Sequence, residues 1–105
     1  MSVVKASSVF RNDMDNWGPE QALTKISSDW TNYWHSAEDD ISPSITFEMK
    51  ENYEVLSVEV VDRLDCCHDR YKNVEVRIGT TPSLDEARTC GIQSYKAQNK
   101  YKSVC

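Results

Sequence analysis

One polar segment of the sequence places two arginines, an aspartate and two adjacent cysteines close together. Arg63 and Arg70 stand at its ends, and Asp65 lies between them. Two guanidinium groups at opposite ends of one loop can converge on neighbouring hydroxyls of a ligand, because each presents a rigid fork of N–H donors. Asp65 is expected to pair with an arginine or to accept from loop amides. Two isolated arginines would by default be solvated surface charges.

The cysteines of the sequence favour a disulfide framework. Cys66 and Cys67 are adjacent, whereas Cys90 and Cys105 come late in the chain. An even number of cysteines in a short chain is typical of extracellular proteins, and adjacent cysteines do not suit the spacing of paired zinc ligands. Adjacent Cα atoms lie about 3.8 Å apart, while ordinary disulfides prefer roughly 4.4–6.8 Å, so a bond between neighbours would be strained. The sequence leaves every complete pairing open.

A second candidate group lies in the polar and aromatic segment 29–40. A neutral His35 ring can donate to one hydroxyl and accept from another, which suits a polar ligand contact. The competing interpretation is a surface histidine in an aromatic loop. Trp34 is the best contact candidate among the aromatic residues here, and at least one of Trp30, Tyr33 and Trp34 is expected to close the core.

Charge and missing motifs exclude several classes of function. The formal net charge of -5 disfavours nucleic acid and anionic lipid surfaces as ligands. The apolar runs are far shorter than the roughly 20 residues that span a bilayer. No nucleophile elbow, zinc-protease motif or phosphate-binding glycine loop occurs. Asp39 with Asp40, or Asp65 with Asp69, have no spacing that singles them out for glycoside hydrolysis. We therefore expect no enzymatic activity.

The segments that must position these groups have the pattern of strands. Apolar and polar residues alternate in the runs 45–49, 53–61 and 74–78, which predicts half-buried strands. The polar segment 63–73 is predicted to be a loop, and 17–23 a loop followed by one helical turn. The sum is an all-β, antiparallel β-sandwich with long loops and at most a short helical turn. The chain of 105 residues has room for a single domain.

The loop and its flanking strands resemble the F-type lectin (fucolectin) domain. The resemblance rests on a histidine followed by Arg-x-Asp, adjacent cysteines and a second arginine, and it extends from about Lys5 to the late cysteines. It implies a jelly-roll-like sandwich of the discoidin-like, galactose-binding-domain-like group. It also implies a carbohydrate-binding module that recognises terminal L-fucose or a similar sugar on glycans without catalysis. The disulfides implied are Cys66–Cys67 and Cys90–Cys105.

The resemblance also assigns residues to the sugar site. Those expected to touch the sugar or to support such contacts are His35, Arg63, Arg70, Cys66, Cys67, Asp65 and Trp34. A ring formed by adjacent cysteines would offer a rigid, polarisable surface to the C–H face or methyl group of a deoxy sugar. The gap from His35 to Arg63 is one residue longer than is usual in the family, which an insertion within 36–42 would absorb.

The sequence departs from the family pattern in two places. Relatives commonly hold a structural calcium after an Ala-x-Asp-Gly-Asn stretch, but Ala-Leu-Thr-Lys-Ile stands at 22–26 and lacks the oxygen ligands that calcium requires. No metal or other cofactor is therefore expected, although Asp29, Asp39 and Asp40 could compensate. The chain stops at Cys105, where relatives continue with a closing strand. We expect one F-type lectin-like domain over 1–105, truncated at its C-terminus, with an exposed sheet edge.

The resemblance and the cysteines together imply a biological setting. Fucosylated glycans or glycoproteins are the expected partners, in innate recognition, and weak single-site binding predicts a homo-oligomer or a multidomain protein. A secreted, extracellular protein is expected, although the start at Met1 does not have the pattern of a signal peptide. The alternative function is a discoidin-like adhesion or lipid-binding module. The tryptophans suit that alternative, while the net charge and the loop motif do not.

Overall fold

The computed structural model describes residues 1–23 and 31–105. Within these ranges the backbone is built mainly from short strands, with one α-helix, α1 (Met14–Trp17), and 3-10 turns at Phe10–Asn12, Pro19–Leu23 and His68–Arg70. The strands are β1 (Ser2–Ala6), β2 (Ile45–Glu48), β3 (Ser57–Val61), β4 (Arg77–Ile78), β5 (Arg88–Thr89), β6 (Ser94–Tyr95) and β7 (Lys100–Val104). The all-β class expected from the sequence is confirmed, as is a helical turn after Gly18, which the structure places at Pro19–Leu23.

The strands pair in three antiparallel sheets. β1 pairs with β2, β4 pairs with β5, and β7 lies between β3 and β6. In the three-stranded sheet Val58 lies opposite Ser103, and Val60 lies opposite Tyr101. The pairing with β7 fixes the end of β3. Two residues beyond that end begins the segment 63–70, which we call the arginine loop.

The most buried apolar side chain of the described residues is Trp17, at 4% exposure. Trp17 is the last residue of α1. The first turn of this helix is capped by the Asp13 carboxylate, which accepts from the Asn16 N–H at 3.2 Å. The chain leaves the helix through Gly18, where a Cβ atom would stand 2.4 Å from the Met14 carbonyl oxygen. Glycine is required for this close approach, and it allows the turn that follows to pack against α1.

The strands are shorter than the alternating patterns predict. The run 53–61 is a strand only from Ser57, and Leu56 is 70% exposed. The run 74–78 is a strand only at Arg77–Ile78, and Val74 is 42% exposed. Alternation marks the residues that can lie on a half-buried surface, but a strand also needs a partner, and β5 pairs with β4 over two residues only. The segment 63–73 contains a 3-10 turn and no strand, as predicted for a loop.

The disulfides are Cys66–Cys67, with Cα atoms 3.8 Å apart, and Cys90–Cys105, with Cα atoms 4.4 Å apart. The second bond joins the residue after β5 to the residue after β7. It therefore ties two sheets together at one end. Among the helices of the described residues, none has the length and apolar composition needed to span a bilayer.

Candidate functional site

Side chains from both ends of the arginine loop line one cavity of about 430 Å³, which we call the arginine cavity. Its lining residues are Phe10, Trp17, Tyr33, His35, Glu38, Arg63 and Arg70. The structure thus brings together three residues that the sequence analysis selected, His35, Arg63 and Arg70. His35 is distant in sequence from the two arginines, which belong to one loop, and each of the three is positioned in a different way.

The backbone of Arg63 is tied to the end of the three-stranded sheet. The Asp62 N–H donates to the Asn99 carbonyl at 2.9 Å, and the Asn99 side-chain amide donates to the Arg63 carbonyl at 3.4 Å. The Asp62 carboxylate accepts from the Arg63 N–H at 2.9 Å. The start of the arginine loop therefore has its direction set by the turn that precedes β7.

The Arg63 guanidinium is held by hydrogen bonds on all three of its nitrogens. Nε donates to Asp65 Oδ1 at 2.6 Å, Nη2 donates to Asp65 Oδ2 at 2.5 Å, and Nη1 donates to the Tyr33 hydroxyl at 2.5 Å. This bidentate pair holds the pKa of the Asp65 carboxyl below its usual value and raises the pKa of Arg63. The Arg63 side chain is 11% exposed. One N–H hydrogen on each terminal nitrogen remains for a ligand.

An aromatic cluster forms one wall of the arginine cavity. The Tyr33 ring lies beneath the Arg63 guanidinium, with 4.7 Å between the Cζ atom and the ring centroid. The Trp17 ring meets the Phe10 ring edge-on, with ring centroids 4.9 Å apart. Partial burial raises the pKa of Tyr33, which keeps the phenol protonated at neutral pH.

His35 is fixed at both its backbone and its ring. Its N–H donates to the Trp17 carbonyl at 3.2 Å, and its ring stacks on Phe10 with centroids 4.4 Å apart. Nδ1 lies 2.6 Å from the Ser36 carbonyl oxygen. Because that oxygen can only accept, Nδ1 carries the hydrogen, and in the neutral ring Nε2 is an acceptor. His35 can therefore accept a hydrogen bond from a ligand hydroxyl.

Arg70 is the loosely held member of the site. Its N–H donates to the Cys67 carbonyl at 3.0 Å in a 3-10 turn, and Cys67 has a left-handed backbone with φ of 68°. The turn returns the chain toward the cavity that Arg63 lines. Among the side chains that the structure describes, the exposed Arg70 guanidinium has no hydrogen-bond or ion-pair partner. It is a cation whose donors remain available to a ligand.

Glu38 lines the arginine cavity although the sequence analysis did not select it. The segment that carries it is held by Asp40, whose carboxylate accepts from the Ser7 and Ser8 hydroxyls at 2.6 Å each. These two bonds lower the pKa of Asp40. The Ala37 N–H also donates to the Ser8 hydroxyl at 2.9 Å. Glu38 therefore adds an exposed carboxylate acceptor on a fixed backbone.

Other residues expected at the sugar do not line this cavity. The Trp34 indole N–H donates to the Ser8 carbonyl at 3.0 Å, so its polar edge is engaged within the fold. Cys66 and Cys67 lie within the arginine loop, and neither lines the cavity. Their contacts with a sugar stay predictions. Trp30 and Asp29, also considered in the sequence analysis, lie outside the described residues.

The sequence analysis also missed the wall formed by Phe10, Trp17 and Tyr33. Tyr33 was considered only as an aromatic residue that could close the core, and no periodic pattern marks the three as one group. Their proximity to Arg63 depends on backbone hydrogen bonds, such as the one that the Asn32 N–H donates to the Asn16 carbonyl at 2.9 Å. In the part of the chain that the structure describes, no group of three or more His, Cys, Asp or Glu residues could hold a metal ion.

Comparison with known proteins gives one family. Residues 21–105 match the family described as NedA-like, galactose-binding domain. No curated protein and no solved structure matches the chain. The matched range contains the whole arginine loop and six of the seven strands, β2 to β7. It confirms the galactose-binding-domain-like, β-sandwich group that the sequence analysis expected. The chain belongs to the NedA-like, galactose-binding domain family.

Proposed function

We propose that the protein binds carbohydrate in the arginine cavity, with terminal L-fucose or a similar sugar as the ligand. The observation that carries the proposal is that guanidinium groups from both ends of one loop line a single cavity together with His35. Membership of a galactose-binding domain family supports a non-catalytic binding module. The preference for fucose rests on the resemblance of the arginine loop to that of F-type lectins.

The cavity offers the hydrogen-bond donors, the acceptors and the apolar surface that complement a sugar. Arg63 and Arg70 supply donors, while Glu38 and His35 Nε2 supply acceptors. A hydroxyl donates and accepts at once, so neighbouring sugar hydroxyls can satisfy groups of both kinds. The aromatic wall supplies an apolar surface for the C–H groups of the ring.

The charges of the site favour a neutral sugar. Asp65 neutralises Arg63 through the bidentate pair, and Glu38 lies in the same cavity as Arg70. Arg70 has no ion pair of its own, but the charges of the two arginines are balanced in number by Asp65 and Glu38, so the site does not select for anions. L-Fucose, a neutral deoxy sugar, fits this balance.

The setting of such a module follows from its disulfides and from the weakness of single sugar sites. Two disulfides favour an oxidising, extracellular environment. Sugar hydroxyls are also well solvated by water, so one site binds weakly and useful avidity comes from linked copies. We therefore propose fucosylated glycans or glycoproteins as partners of an oligomeric or multidomain protein.

Retention on L-fucose-agarose tests the proposal. Arg63→Ala and Arg70→Ala should each lose most of the retention, because each removes a donor that the rest of the cavity cannot replace. Arg77→Ala is the matched control for Arg63, since Arg77 is ion-paired to Glu75 at 2.8 Å outside the cavity. Arg88→Ala is the control for the exposed Arg70. Both controls should be retained like the parent chain.

Two results would contradict the proposal. Unchanged retention of Arg63→Ala and Arg70→Ala would show that the sugar binds elsewhere. Co-sedimentation of the parent chain with liposomes, without retention on L-fucose-agarose, would favour a discoidin-like lipid-binding module. Circular dichroism spectra of every variant should overlay the parent spectrum, so that loss of folding is not mistaken for loss of the site.

A further inference from the structure

The Tyr33 hydroxyl accepts a hydrogen bond from its own protein. Arg63 Nη1 donates to it at 2.5 Å. An arginine N–H can act only as a donor, so the hydroxyl oxygen is the acceptor in this bond. A phenol hydroxyl can accept at its oxygen and donate its hydrogen at the same time.

The hydrogen of the same hydroxyl is left for another partner. Within residues 1–23 and 31–105, the structure shows no acceptor for it, whereas the Arg63 donor to its oxygen is in place. Tyr33 lines the arginine cavity, so a ligand there can supply the missing acceptor. A donor held in advance by fixed neighbours loses little conformational freedom when the ligand binds.

The ring of Tyr33 is held in place independently of its hydroxyl. The Arg63 guanidinium lies over the ring at 4.7 Å, and the His35 ring lies 5.9 Å away at an angle of 34°. Burial raises the pKa of the phenol, which supports its role as a neutral donor. Tyr33→Phe should therefore keep the packing of the wall and remove only the hydroxyl.

We propose that Tyr33 is a specificity-determining residue, whose hydroxyl donates to one acceptor oxygen of the sugar beside the oxygen bound by Arg63. The inference rests on the proposed function and deepens it. The ligand class is a neutral sugar with an oxygen that can accept at that position, either a hydroxyl or the ring oxygen. A site with an unpaired donor discriminates strongly against an analogue that lacks the matching acceptor.

The test measures the affinity of the parent chain and of Tyr33→Phe for L-fucose and a set of analogues. The set contains each monodeoxy-L-fucose and the carba analogue, in which a methylene group replaces the ring oxygen. One analogue should bind the parent chain about tenfold more weakly than L-fucose. In Tyr33→Phe, L-fucose itself should weaken by about the same factor, and the difference from that one analogue should disappear.

Tyr71→Phe is the matched control. The Tyr71 hydroxyl donates to Gln93 Oε1 at 2.7 Å in a separate cavity, so this variant also loses one hydrogen bond of the fold. It should bind every sugar of the set like the parent chain. If Tyr33→Phe binds L-fucose like the parent chain, or weakens every sugar by one common factor, Tyr33 only positions Arg63 and the inference is wrong. If the parent chain binds no sugar of the set, the proposed function fails and this inference fails with it.

Discussion

The two ends of the arginine loop present the same chemical group but hold it differently. Arg63 follows β3, is anchored through Asn99, and has a partner on every guanidinium nitrogen. Arg70 follows a 3-10 turn, is exposed, and has no side-chain partner in the described part of the chain. One end of the loop is organised before a ligand arrives, and the other end can adjust to it.

This difference suggests how a small domain combines specificity with adaptability. A guanidinium fixed by a bidentate carboxylate presents its remaining hydrogens in one direction, so it recognises a particular arrangement of hydroxyls. A free guanidinium loses more rotamer freedom on binding but accepts a wider range of ligand positions. We expect the Arg63 end to determine which sugar binds. We expect the Arg70 end to determine much of the tolerance for groups attached to that sugar.

Lysine substitutions at the two ends should separate them most clearly. A lysine cannot reproduce the bidentate pair with Asp65 together with the bond to Tyr33, so Arg63→Lys should weaken L-fucose binding by about 30-fold or more. Arg70→Lys keeps a cation that has no fixed geometry to satisfy, and its affinity should stay within about threefold. Isothermal titration with L-fucose measures both. Equal losses in the two variants would contradict the distinction.

Acidification should affect the Arg63 end selectively. The pKa of Asp65 is lowered from its usual 3.8 by the bonds from Arg63, so the unfolded chain binds a proton at a higher pH than the folded chain does. The contribution of this ion pair to the free energy of unfolding is present above about pH 3.8, the usual pKa of an aspartate. It is lost as the pH falls through the pKa that Asp65 has in the folded chain. Sugar affinity should decline over the same range as the ion pair is lost.

The matched variant for this effect is Asp65→Asn, which keeps the shape of the side chain and removes its charge. The pKa values of Asp13, Asp40 and Glu75 are also lowered, so these groups make stability depend on pH as well. The measured quantity is therefore the difference in free energy of unfolding between the parent chain and the variant, from which their contributions cancel. Urea unfolding from pH 5 to pH 2.5 should show this difference shrinking toward acid. A difference that is constant with pH would mean that the ion pair does not stabilise the fold.

The smallest effect is expected from the Cys66–Cys67 bond. It lies between the two arginines and immediately before the turn that positions Arg70. A double substitution by serine should weaken L-fucose binding by about two- to fivefold, and the loss should vanish in an Arg70→Ala background if the bond acts through Arg70. A loss of the same size in both backgrounds would instead support direct contact between the sulfur atoms and the sugar.

The sequence predicts the local parts of this site better than its assembly. The loop character of 63–73 and the pairing of Asp65 with an arginine depend on residues close in sequence, and both are seen in the structure. Tyr33 reaches Arg63 across 30 positions, so no local pattern marks it as part of the site. β7 has the sequence Lys-Tyr-Lys-Ser-Val, whose charged residues do not suggest a strand, although it is the central strand of its sheet. Such elements form because partners are available, which local propensity does not record.

The most direct test of the account is a crystal structure of the protein with L-fucose bound. We expect the sugar in the arginine cavity, with oxygens within hydrogen-bonding distance of both Arg63 and Arg70 and with Asp65 still paired to Arg63. A sugar bound outside this cavity, or one that contacts neither guanidinium, would contradict the central claim that the two ends of one loop form a single carbohydrate site.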